Sequence, residues 1–127
     1  ARAWMRSRQY ERARGLLLEV VQVRPDHSAA LRDLGYCLLK LGDADQAMAM
    51  YEKAVALDGG DWEAYRGLGV ACMVKAQQTG DDAWQSAALR HWRHALAINP
   101  DQPRRDWLEK LIRENSPTTN PLRGLDD

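Results

Sequence analysis

His91 and His94 are the residues of this chain whose spacing could hold a metal ion. They lie three residues apart in a helix-forming segment, so both imidazoles would project from one helix face. No carboxylate or cysteine at coordinating spacing joins them. The sequence therefore argues against a metal site at the two histidines, and we predict neither a metal nor a cofactor.

Other patterns that could support catalysis are incomplete. Gly59-Gly60 lacks the following Lys and Ser/Thr that a phosphate-binding loop needs, and no GxSxG motif is present. Cys37 and Cys72 are far apart and fit no CxxC pattern. Two buried thiols are the favoured interpretation, with a disulfide or metal pair as the alternative. We predict that the chain is not an enzyme.

Composition limits the class of protein further. A chain of 127 residues with 45% hydrophobic residues suits one domain with a real core. Its formal net charge is zero, which argues against a nucleic-acid partner. No run of about 18 apolar residues indicates a membrane span, and no signal peptide is visible. We expect a cytoplasmic protein, with the periplasm as the alternative.

The positions of Gly, Pro and Asp residues divide the chain into helices. Turn residues around Gly42, Asp58-Gly59-Gly60-Asp61, Gly80 and Asn99-Pro100 separate segments rich in helix formers. The predicted helices are 28–40, 44–57, Trp62 to about Gln78, about Ala83 to Ile98, and one from near Pro103 to about Asn115. Upstream, a helix from Tyr10 to Arg24 follows a separate helical stub, Ala1–Ser7.

The chain also resembles itself after a shift of 34 residues, which indicates stacked helical repeats. The shift pairs Ala13 with Ala47, Leu17 with Tyr51, Leu31 with Tyr65, Leu34 with Leu68 and Gly35 with Gly69. A mid-helix glycine costs about 1 kcal/mol relative to alanine. Gly35 and Gly69 therefore predict that a neighbouring helix backbone crosses there. The predicted small partners at these crossings are Ala47, Ala54, Ala88 and Ala95. The large side chains predicted to fill the space between hairpins are Tyr51 and Trp92.

One segment resembles a complete tetratricopeptide repeat (TPR). It reads Leu31-x-x-Leu34-Gly35-x-x-Leu38, then Gly42-Asp43, Ala47, Tyr51 and Ala54. The resemblance implies an all-α fold, a right-handed superhelical stack of antiparallel helix hairpins. The repeats would be a truncated one over 1–25, a full one over 26–59 and an extended one over 60–100. A capping helix over 101–115 completes the domain 1–115, and 116–127 is predicted to be a flexible tail.

The resemblance implies that the first helix of each hairpin lines a concave groove for a peptide or helix of a partner protein. The predicted groove residues are Arg32, Tyr36, Leu39, Lys40, Arg66, Val70, Met73, Arg104 and Trp107, with Ala29, Asp33, Glu63, Gly67, Val74, Leu108 and Leu111 beside them. Some family members clamp a C-terminal carboxylate with Lys and Asn. Here Tyr36 and Gly67 stand where the amides should be, so we expect a different peptide, of acidic character.

Three functions follow from the resemblance. The first is an adaptor or scaffold module of bacterial type; the alternatives are a secretion-type chaperone and a regulatory appendage of an enzyme on other sequence. The apolar residues predicted for the helix 10–24 must be shielded from water, either by upstream residues or by a second copy of the chain. We predict self-association through this helix. Leu122 to Asp127 is either disordered or a docking motif that could lie in the basic groove of a neighbouring molecule.

Overall fold

The computed structural model describes residues 2–115, with side chains from residue 6 onwards. Within this range the chain forms six α-helices and no strand. The helices are α1 (Arg2–Val23), α2 (Ser28–Lys40), α3 (Ala44–Leu57), α4 (Trp62–Thr79), α5 (Asp82–Ile98) and α6 (Arg105–Asn115). The predicted tail 116–127, with its docking motif, lies outside the described residues.

Short polar side chains define where the helices begin. Asp43, Asp61 and Asp81 each accept a backbone hydrogen bond at the start of a helix, from Gln46 N at 3.0 Å, Ala64 N at 3.1 Å and Ala83 N at 2.9 Å. At the start of α2 the acceptor is an imidazole, since His27 Nδ1 receives the Ala30 N–H at 3.1 Å. These caps confirm the predicted helix starts to within one residue.

Two predicted helix limits are wrong. The predicted stub and the helix from Tyr10 form one helix, α1, because no Gly or Pro interrupts the residues between them. The last helix begins at Arg105 rather than near Pro103. Arg104 has φ 61°, in the left-handed region, which keeps the backbone out of the α-helical conformation until the next residue.

Each helix packs against the next, and α2 also contacts α4, so the hairpins stack side by side. The larger hydrophobic cluster lies among α2, α3, α4 and the start of α5, with Leu34, Tyr51 and Leu68 at its centre. A smaller cluster of Leu89, Trp92 and Leu108 joins α5 to α6. The architecture is the predicted all-α stack of helix hairpins, ended by a short helix.

The mid-helix glycines Gly35 and Gly69 each lie against an aromatic ring. A Cβ on Gly35 would lie 3.1 Å from the Tyr51 ring, and a Cβ on Gly69 would lie 2.2 Å from Trp92 Cδ1. The missing side chains therefore make room for aromatic rings. Both rings are buried, as predicted, and so are the four alanines.

Both cysteines are free and buried, as the favoured interpretation predicted. Cys72 Sγ lies 3.7 Å from Met48 Sδ, and burial raises the pKa of the Cys72 thiol to about 11. The thiol therefore stays protonated and acts as a small apolar core residue. Among the described helices, none is long and apolar enough to cross a membrane.

Candidate functional site

A groove of about 610 Å³ runs along α2 and α4 and ends at the beginning of α6. Its walls carry charged and aromatic side chains, and its floor is apolar. The lining residues are Arg32, Asp33, Tyr36, Leu39, Lys40, Tyr51, Glu63, Arg66, Gly67, Val70, Arg104 and Trp107. The groove therefore contains every predicted site residue except Met73.

Met73 faces the core instead of the groove. It is partly buried and packs against both hydrophobic clusters. Val70, three residues earlier on α4, lines the groove and also packs against the smaller cluster. Leu108 and Leu111, expected beside the groove, also pack into the smaller cluster, and Leu108 is fully buried.

The floor of the groove holds a contact that the sequence analysis did not predict. Tyr51 was expected in the core, and it is buried there, but its ring also reaches the groove beneath α4. A Cβ on Gly67 would lie 2.3 Å from Tyr51 Cζ, so only glycine leaves space for the ring at this position. The pair Gly35 and Gly67 thus brackets one tyrosine. The feature of the sequence that indicated this contact was Gly67, a further helical glycine two residues before Gly69.

Arg32 is tied to its own chain. Its Nη1 donates to Asp61 Oδ2 at 3.2 Å, and its Nε lies 3.5 Å from Asp33 Oδ1. Burial opposes the charge, but Asp61, Glu63 and Asp33 outweigh burial and raise the pKa of the guanidinium above its ordinary value. Since Asp61 also caps α4, Arg32 connects α2 to the start of the next hairpin and is a structural wall of the groove.

Arg66 connects α4 to the loop before α6. Its Nη1 donates to the Pro103 carbonyl at 3.0 Å and to Gln102 Oε1 at 3.4 Å, and its guanidinium lies 5.0 Å from the Trp62 ring. All of these partners are uncharged. The positive charge of Arg66 therefore remains available to a ligand, while its hydrogen bonds hold it at the groove wall.

The two ends of the groove each pair a cation with an exposed aromatic ring. Lys40 Nζ lies 5.5 Å from the Tyr36 ring, and Arg104 lies 4.6 Å from the Trp107 ring. Tyr36 in turn meets Tyr10 of α1 edge to face at 6.0 Å. Burial and the neighbouring Tyr10 hydroxyl raise the pKa of Tyr36, so this phenol remains a neutral hydrogen-bonding group.

The charge of the groove is unevenly compensated. Within residues 6–115, Lys40, Arg66 and Arg104 form no ion pair with a carboxylate. Asp33 faces Arg32, and Glu63 adds to the field at the same guanidinium. The acidic side chains thus offset the positive charge of Arg32. The charges of the other three cations are not offset, and these cations lie along a surface whose floor is apolar. Such a surface attracts an acidic ligand that also presents apolar side chains.

The two histidines lie away from the groove, around Tyr65 on α4. His94 stacks on the Tyr65 ring at 4.1 Å, and His91 lies 6.2 Å from it. Burial, with the nearby Arg90 and His94, lowers the pKa of His91 below its ordinary value. No group of three potential ligands for a metal ion occurs in the part of the chain that the structure describes. The histidines pack α5 against α4.

Fold and groove together define a helical-repeat protein with a surface groove along the first helices of its hairpins. A family model described as Tetratricopeptide repeat matches residues 5–77, more than half of the chain. The chain belongs to the tetratricopeptide repeat family. No curated protein matches it.

Two solved structures share the fold at low sequence identity. The first TPR of Spaghetti (RPAP3), bound to the HSP90 peptide SRMEEVD, is 16% identical, with a TM-score of 0.71, and the match covers 87% of this chain and 83% of that one. The Arabidopsis OM64 TPR domain is 21% identical, with a TM-score of 0.73, and the match covers 89% and 88%. At these identities the likeness concerns the fold.

Proposed function

We propose that this chain is a protein–protein interaction module, an adaptor or scaffold, that binds an acidic peptide or helix of a partner protein in its concave groove. The observation that carries the proposal is the groove itself, in which Lys40, Arg66 and Arg104 have no carboxylate partner among residues 6–115. The proposal assigns no catalytic step, metal or cofactor to the chain.

The ligand is expected to combine acidic and apolar residues. Carboxylates would meet Lys40 at one end of the groove and Arg104 at the other, with Arg66 between them on α4. Apolar side chains would pack on Leu39 and Val70. Tyr36 and Trp107 are 47% and 39% exposed, and large rings that are already partly ordered are favourable contact residues.

The HSP90 peptide of the RPAP3 structure is a useful probe of this chemistry. It is acidic, but we infer that the natural ligand here is different, because Tyr36 and Gly67 occupy the places of the amides in the carboxylate clamp. Moreover, Gly67 cannot be replaced by a larger residue while the Tyr51 ring lies against it. We therefore expect SRMEEVD to bind no more tightly than a scrambled peptide of the same charge. Clear preference for the natural order would contradict this part of the proposal.

The groove is tested best through cations that have no carboxylate partner among residues 6–115. Arg32→Glu would break the link to Asp61 and could unfold the cap of α4. Lys40→Glu combined with Arg104→Glu leaves the described ion pairs intact. Pull-down from the source cell, followed by mass spectrometry and titration of the captured partner, should show at least about tenfold weaker binding for this variant.

The matched control is Lys53→Glu, which reverses an exposed cation on α3 outside the groove. It should bind like the unmodified chain. Equal binding by the groove variant and the control would show that the partner uses another surface. A folded partner in constant ratio supports an adaptor, whereas a mixture of unfolded export substrates supports the chaperone alternative.

The proposal also includes self-association through α1. Leu16 and Val23 are 65% and 82% exposed on this helix, and Leu18 and Val20 are exposed beside them. None of these residues lines the groove. Ligand binding and self-association are therefore separate properties of two different surfaces.

A further inference from the structure

Helix α1 has two faces that differ in burial. Tyr10, Ala13, Leu17 and Val21 are partly buried on the face toward α2. The opposite face presents Arg12, Leu16, Glu19 and Val23, all exposed. Their spacing of four, three and four residues places them in one row along the helix. Because α1 is a single helix of 22 residues, the row is continuous and spans about 17 Å from Arg12 to Val23.

The two charges in this row, Arg12 and Glu19, have no oppositely charged partner among residues 6–115. They lie seven residues apart, which is about 10 Å along the helix axis and too far for a direct contact. Leu16 lies between them and is 65% exposed. An apolar residue flanked by one positive and one negative charge is self-complementary under a two-fold rotation.

We propose that two copies of this chain associate through an antiparallel pairing of their α1 helices, with Arg12 of each copy facing Glu19 of the other. A two-fold axis midway between positions 12 and 19 brings both pairs together at once. It also places the two Leu16 side chains next to each other across the axis. At neighbouring Gly15 an added Cβ would meet nothing within 4 Å, so the second helix can approach closely there.

The charges choose the direction of the pairing. A parallel pair would set Arg12 against Arg12 and Glu19 against Glu19, and like charges at an interface are unfavourable. The antiparallel pair replaces both repulsions by attractions. The contact is one helix wide, so we expect a weak, concentration-dependent dimer rather than an obligate one.

This inference deepens the proposed self-association and is independent of the groove, which no residue of this row lines. The test is a set of charge reversals measured by light scattering and sedimentation velocity up to about 0.1 mM protein, a range that reports weak dimers. Arg12→Glu and Glu19→Arg should each weaken the dimer by about tenfold. The double variant should restore it.

The decisive sample is the equimolar mixture of the two single variants. One copy then carries Glu at 12 and 19 and the other carries Arg at both, so antiparallel pairing between them creates two attractive contacts. We expect a heterodimer at concentrations where each single variant alone is monomeric. If the double variant forms the dimer again but the mixture does not, the two charges interact within one chain rather than between copies, and the proposal is overturned.

Two further outcomes are informative. Leu16→Asp should abolish association while the helical circular dichroism signal is unchanged, because this side chain is outside the core. A strictly monomeric unmodified chain at about 0.1 mM would overturn the proposal, and so would a dimer that ignores all of these substitutions. Peptide binding in the groove should be the same for every α1 variant, so failure of the dimer is distinguishable from failure of the groove.

Discussion

Tyr51 and Trp92 fill equivalent places between successive hairpins, and each depends on glycine in the facing helix. The Tyr51 ring lies against Gly35 and Gly67, and the Trp92 ring against Gly69. Trp92 Nε1 also donates to the Arg66 carbonyl at 3.2 Å, which satisfies the indole where it is buried. The stacked helices are therefore held together by large aromatic rings, which fill the space left by the glycines of α2 and α4.

Gly69→Ala should therefore destabilise the fold, although alanine is the better helix former. Its Cβ would lie 2.2 Å from Trp92 Cδ1 and Nε1, and relieving such overpacking costs about 1–3 kcal/mol, more than the gain in helix propensity of about 1 kcal/mol. Urea denaturation should show a lower midpoint. The control is Gly15→Ala, where the added Cβ meets nothing and stability should rise by about 0.5–1 kcal/mol. A stable Gly69→Ala variant would contradict this account.

At the scale of elements, one buried amide joins α6 to the rest of the stack. Gln102 is 2% exposed, and its Nε2 donates to the Ala95 carbonyl at 3.1 Å and the Asn99 carbonyl at 3.0 Å. Its Oε1 accepts from Arg66 at 3.4 Å. The side chain thus links the end of α5, the groove wall and the loop before α6.

Gln102→Ala should cost about 1–3 kcal/mol, because it removes the two hydrogen bonds that this buried side chain donates to the Ala95 and Asn99 carbonyls, which keep only their backbone donors. Hydrogen exchange of the α6 amides should accelerate, since α6 keeps only its apolar contacts. Gln77→Ala, at an exposed position near the end of α4, serves as the control and should change stability by less than about 0.5 kcal/mol. Unchanged protection of α6 would argue against this role for Gln102.

The contact between α4 and α5 should make stability depend on pH. The pKa of His91 is lowered in the folded chain, so the unfolded chain binds a proton first as the pH falls below about 6.5. Stability is fully present above that pH and decreases as acid protonates His91. The Tm should therefore drop more between pH 7 and about 5 for the unmodified chain than for His91→Gln. Equal slopes would show that His91 does not contribute.

At the scale of the whole molecule, the groove is formed by three helices that are distant in sequence. Lys40 on α2, Arg66 on α4 and Arg104 before α6 share one surface only because the hairpins stack. Their combined field should make ligand binding sensitive to salt. Raising the ionic strength from about 0.05 to 0.5 M should weaken binding of an acidic partner severalfold, measured by calorimetry. Binding that does not respond to salt would indicate apolar recognition instead.

Much of the fold was predictable because its signals are local. The signals can be seen in short stretches of sequence: capping aspartates, turn glycines and the repeat of Leu, Gly, Ala and aromatic positions. They predicted the limits of α2 to α5 closely. The groove residues on α2 followed from helical periodicity once one face was assigned to packing. The division of α1 was wrong because the incomplete first repeat, which predicted only a short stub before Tyr10, was given more weight than the unbroken run of helix formers.

The sequence by itself determined helices α2 to α5, the order of the helices and most of the apolar face of α2, since these depend on neighbours within a few residues. The tertiary structure alone decided that Met73 belongs to the core, that Arg32 pairs with Asp61, and that Arg66 reaches the loop before α6. Such contacts join residues about 30 or more positions apart. They depend on how successive hairpins pack, and no single segment of the chain specifies that packing, since the rings that lie against Gly35, Gly67 and Gly69 come from other helices.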